Sequence, residues 1–154
     1  MTKFYHYLIM MMEKIKKAII ARKGKVLIIT LEDIEKYLFE VKKAILDSRY
    51  RIELNYYRQD NIDLFTYYVI DTEIAKNILL ELVPTDFSEV LQNEHRGFKH
   101  ELLYVFGKDV TLLERFSNLD RNVPLYIKFN KLHNHYLIVV SMHEQKYPIK
   151  YYFK

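Results

Sequence analysis

The side chains of this chain best equipped for chemistry stand in two short, partly apolar runs. "PLYIKFN", residues 124–130, carries Tyr126 and Lys128, and "YLIVVSMHE", residues 136–144, ends on Ser141 and His143. Successive side chains of a strand point to opposite faces, so each of these pairs shares one face of its own strand. A phenol, an ammonium and an imidazole are a usable set for cutting RNA. The cut needs a base for the 2′-OH proton, an acid for the departing 5′ oxygen, and a cation for the charge that gathers on the non-bridging oxygens. Imidazole titrates at ~6.5 and suits either proton role. Lys128 supplies the cation, and the Tyr126 phenol donates to phosphate or stacks on a base.

The two runs are joined by "KLHNH", short enough for an antiparallel hairpin, so the strands should be neighbours. Register then decides everything, because a slip of one residue turns one set of side chains away from the other. Other chemistries are poorly served. His133 and His135 are spaced to reach one ion but have no third ligand near them, so no metal site and no cofactor is expected. Ser141 lacks a Gly-x-Ser-x-Gly elbow, and no glycine-rich phosphate loop occurs.

The elements that must hold these residues read as follows. "GKVLIIT", residues 24–30, is a β-branched strand, and Thr30 caps a helix with Asp33 in the capping-box position. Apolar residues recur at helical spacing from Leu31 to Leu46. "RYRIELN", residues 49–55, alternates as a half-exposed edge strand does. Asn61 and Asp71 are each placed to cap a helix, a short one and then Thr72 to Leu82, which Pro84 stops. "TDFSEVLQ" adds a turn or short helix. Beyond Gly97 the period becomes two, giving strands in "HELLYVFGKDV", "VPLYIKFNKL" and "YLIVVSMHE", with a fourth possible in "IKYYF". Helices followed by strands at hairpin spacing predict an α+β fold, N-terminal helices packed on a largely antiparallel C-terminal sheet.

One domain, residues 31–154, is expected, preceded by an extension over residues 1–30. The absence of cysteine excludes a disulfide framework and thiol nucleophiles, and fits a cytoplasmic protein. The apolar stretch from Phe4 to Met12 is too short to span a bilayer, which needs ~20 residues. Net charge is +4, and residues 1–91 are balanced, so the whole excess lies beyond them with most of the histidines. That basic segment is a footprint for a phosphate backbone, with Arg96, Lys99, Lys108, Lys150 and Tyr151 as flanking RNA contacts.

From about Ala44 onward the ordered series "LYVFGK", "LYIKF" and "IVVS-x-HE", preceded by an "AKNILLEL" helix and "DFSEV", resembles the motility quorum-sensing regulator (MqsR) toxins of bacterial toxin–antitoxin modules. The resemblance implies a RelE-like fold and a metal-independent endoribonuclease that cuts mRNA and is restrained by a cognate antitoxin protein. The family's active-site tyrosine falls on Tyr126, and its last-strand catalytic lysine on His143. A further family lysine falls near Glu89, of opposite charge, for which Arg96 or Lys99 would substitute, and a family glutamine meets the apolar Leu103. The competing reading is a non-catalytic module that binds nucleic acid or a protein on a basic sheet face. Exposure of the side chains from Phe4 to Met12 would favour it.

Overall fold

The computed structural model of the chain describes residues 3–11 and 28–154. A helix α1 occupies residues 3–11. The main body then runs α2 (Leu31–Leu46), β1 (Tyr50–Ile52), α3 (Gln59–Tyr67), α4 (Thr72–Leu80), a 3-10 turn (Pro84–Asp86), β2 (Phe87–Gln92), β3 (Leu102–Leu113), β4 (Asp120–Lys131) and β5 (Leu137–Glu144). The strands form one sheet in the order β1-β5-β4-β3-β2, antiparallel except where β1 adds in parallel to β5. This is the α+β architecture expected.

Local chemistry explains most of the boundaries. Thr30 accepts a hydrogen bond from the Asp33 backbone N–H while the Asp33 carboxylate accepts one from Thr30, so α2 begins with a reciprocal cap. Asp71 caps α4 by accepting from Ile74 N–H at 2.8 Å. The buried stripe of α2, Ile34, Tyr37, Leu38, Val41, Ala44 and Ile45, joins Ala75, Ile78 and Leu79 of α4 in a core against one face of the sheet. Phe106 and Phe129 form the floor of that core, fully buried, with rings 5.6 Å apart. Truncating either to alanine should cost about 3–5 kcal/mol.

Three sequence expectations need correction. Asn61 caps nothing; it sits inside α3, is 1% exposed, and its amide is used elsewhere. "TDFSEVLQ" gives the 3-10 turn and then a strand, β2, because a partner edge on β3 is there to pair with it. "IKYYF" is not a strand. The chain after β5 instead crosses the sheet as an irregular strap, held where Ser88 Oγ donates to the Lys150 carbonyl at 2.6 Å and Tyr152 N–H to the Phe87 carbonyl at 2.9 Å. Tyr152 buries its ring against Phe87 in the main core. The expected strand over residues 24–30 lies mostly outside the described residues; residues 28–30 are not in a strand, and Ile29 is buried in the core.

Candidate active-site cleft

The register between β4 and β5 sets Tyr126 opposite His143 and Lys128 opposite Ser141. Leu125, Ile127 and Phe129 face the helices, so these four polar residues share the other face. The Tyr126 and His143 rings stack, centroids 5.1 Å apart and 15° from parallel.

A bulge produces this convergence. Phe129 pairs with Val139, yet Lys128 pairs with Ser141, so Val140 is an extra residue. Up to the bulge, Leu137 and Val139 face the core; after it Met142 does, and Ser141 and His143 turn to the opposite face. Uninterrupted alternation from Leu137 would have sent His143 into the core side. Asn61 holds the bulge. Its Nδ2 donates to the Val140 carbonyl at 3.0 Å and to the Glu53 carbonyl at 2.9 Å, while its Oδ1 accepts from Met142 N–H at 2.9 Å. β1 covers β5 only at residues 137–139, and the side chain of Asn61 takes over the edge groups just beyond.

The site lies in an open cleft of about 670 Å³. Arg58 and Asp60 from the start of α3 form one wall, Glu89 of β2 stands in another, and the strap from Lys146 to Lys150 closes a third. The strap can lie this close because residue 107 is glycine. A Cβ there would stand 2.2 Å from Ile149 Cδ1 and 2.8 Å from the Tyr151 hydroxyl oxygen.

The electrostatics suit an anion beside a proton-transfer group. Burial lowers the pKa of Lys128, and the Arg58 charge beside it lowers it further; Lys128 makes no ion pair among the described residues. Burial raises the Tyr126 phenol, and the Glu89 carboxylate adds to that, so the phenol keeps its proton. Asp60 is held below the usual carboxylate range by the hydrogen bond from Lys146, an ion pair of 2.8 Å across the cleft mouth, with the His143 charge also contributing. His143 Nδ1 lies 2.8 Å from the Glu144 carbonyl oxygen. A carbonyl only accepts, so Nδ1 carries the hydrogen, and in the neutral ring Nε2 is the basic nitrogen.

Of the residues singled out from sequence, Tyr126, Lys128, His143 and Lys150 meet in the cleft. Arg96 and Lys99 lie on the exposed loop between β2 and β3 and do not line it. Lys108 pairs with Leu125 and therefore faces the helix side, where its ammonium reaches the Glu81 carbonyl at 3.5 Å. Tyr151 packs behind the strap against Gly107, with the Lys154 ammonium 4.4 Å from its ring. His133 and His135 belong to the β4–β5 turn, where the His135 carbonyl accepts from Arg49. Among the described residues no group of three or more histidines, aspartates or glutamates is placed to hold a metal ion. None of the described helices is long and apolar enough to cross a membrane. Sequence reasoning missed Arg58, Asp60 and Lys146; the one local signal was "YYR", aromatics beside a cation just before α3. No family model, curated protein or solved structure matches the chain.

Proposed function

We propose that this protein is an endoribonuclease that cleaves single-stranded mRNA in the sheet-face cleft without a metal cofactor. We propose further that it acts as a toxin restrained by an antitoxin partner, as its resemblance to MqsR on a RelE-like fold implies. The observation that carries the reading is the stack of Tyr126 on His143 beside Lys128, which makes no ion pair among the described residues, in a cleft lined by further cations. His143 Nε2 takes the 2′-OH proton as the 2′ oxygen attacks phosphorus. Tyr126, still protonated, donates to a non-bridging oxygen, and Arg58 offsets the charge building there. The P–O5′ bond breaks, and Lys128, made more acidic by burial, gives its proton to the departing oxygen. The products are a 2′,3′-cyclic phosphate and a free 5′-OH.

One observation favours the competing reading. On α1, Phe4, Tyr5, Tyr7, Leu8, Ile9 and Met10 are all exposed, as a protein-binding module would have them. Incubating the purified protein with mixed RNA in EDTA separates the two. The nuclease yields cyclic-phosphate ends, and His143→Ala reduces the rate about 10²–10⁴-fold. Intact RNA held in a salt-sensitive complex, the same for wild type and His143→Ala, would sink the enzyme and leave a binder.

A further inference from the structure

Glu89 is out of place in a cleft lined by Arg58, Lys128, Lys146 and Lys150. It lines the cleft and lies near enough to Tyr126 to raise its phenol pKa, yet it makes no ion pair or side-chain hydrogen bond among the described residues. Its position is built. β2 carries a bulge at Ser88, so Phe87 pairs with Phe106 on the core face, while Glu89 pairs directly with Val105 on the cleft face. Val90 then returns to the core opposite Tyr104. Without that extra residue the glutamate would point at the helices.

A bare carboxylate repels phosphate and only accepts hydrogen bonds. It therefore suits a part of the substrate that is neutral and rich in donors. In single-stranded RNA that is a base read on its Watson–Crick edge. Guanine alone among the four presents two adjacent donors there, N1–H and the N2 amine, matching the two oxygens of a carboxylate. Adenine and cytosine offer an amine beside an acceptor nitrogen, and uracil an N–H flanked by two carbonyls; each sets an acceptor against the carboxylate.

We propose that Glu89 forms a guanine-reading subsite next to the phosphate position at Tyr126 and Lys128, a proposal that rests on the cleft taking single-stranded RNA. Arg58, Lys128 and Lys150 hold the backbone whatever its sequence, and Glu89 selects the base.

The test uses binding, so that it does not depend on cleavage. Short 2′-O-methyl oligonucleotides, which lack the attacking hydroxyl, carry one central guanine, inosine or adenine in a uridine background and are titrated against the full chain by fluorescence anisotropy. Wild type should prefer guanine over adenine by on the order of tenfold, the low end for a bidentate contact because Glu89 is exposed. Inosine, which lacks only the N2 amine, should fall between them. Glu89→Gln should level guanine and adenine while keeping or improving overall affinity, since a negative charge has left the cleft. Equal wild-type affinity for all three bases, or an unchanged guanine preference in Glu89→Gln, overturns the subsite and leaves the RNA cleft standing. No binding of any oligonucleotide removes the RNA reading itself, and the subsite with it.

Discussion

Asn61 makes the sharpest test of how the site is assembled. Replacing it with leucine keeps the branched side-chain skeleton, though in a bulkier form, and removes every hydrogen bond the amide makes to the bulge. Met142 N–H and the Val140 carbonyl lose buried partners, while the Glu53 carbonyl, only part-buried, regains water. An unsatisfied buried backbone group costs about 1–3 kcal/mol, so two of them give roughly 2–6 kcal/mol. A domain stable by ~5–15 kcal/mol survives all but the top of that range, and at ~2–4 °C per kcal/mol the melting temperature should drop by roughly 4–24 °C. Well below that temperature the folded variant should still lose RNA cleavage and cleft binding, because nothing fixes the extra residue that aims His143. Asn61→Asp is the companion: it keeps an acceptor for Met142 N–H but sets an oxygen against two carbonyls. Thermal melts, RNA binding and amide exchange at Met142 report on separate links of this chain. A leucine variant that melts within about 2 °C of wild type, protects Met142 equally and binds RNA unchanged would show that β5 holds its bulge unaided.

Two further outcomes follow from the same geometry. Burial depresses the Lys128 pKa, so the folded chain holds that proton less tightly than the unfolded chain. The resulting penalty is fully present below the depressed folded value and fades as pH rises toward the ordinary lysine value of ~10.4. Lys128→Met should therefore melt above wild type at pH 7, by a smaller margin at pH 10, and should lose RNA affinity with a salt slope lower by about one; a lower melting point at pH 7 would contradict this. Gly107→Ala pushes a methyl against Ile149 and Tyr151. Overpacking of this kind costs about 1–3 kcal/mol, and limited proteolysis after residue 144 should quicken; an unchanged digestion pattern and melting point would show that the strap is not seated on Gly107.

Much of this protein is local and therefore readable in its sequence. The Leu31–Leu46 helix, its Thr30–Asp33 cap and the alternation of "PLYIKFN" follow from neighbours a few residues apart, which is where helical and strand periods act. So does the adjacency of β4 and β5 across a short turn. Arg58 and Asp60 were illegible because a cation and a carboxylate at a helix start are ordinary surface residues until a sheet face lies opposite them. Lys108 misled for the converse reason: a strand lysine has two possible faces, and pairing with Leu125 chose the one away from the cleft. Asn61 looked like a cap because its residue type favours caps; a free strand edge, remote in sequence, used its amide instead.

By itself, then, the sequence determined that these elements exist and that Tyr126 accompanies Lys128, and Ser141 accompanies His143, on one face of its own strand. Whether the two faces coincide was decided by one extra residue, Val140, in β5. Bulging there costs a ladder position, and α3, folded back onto the edge beyond β1, satisfies the backbone groups at the bulge with a donor and an acceptor from Asn61. A parity set by a partner some 80 residues away in the chain leaves no trace in the local alternation, since either register satisfies the same run of apolar side chains.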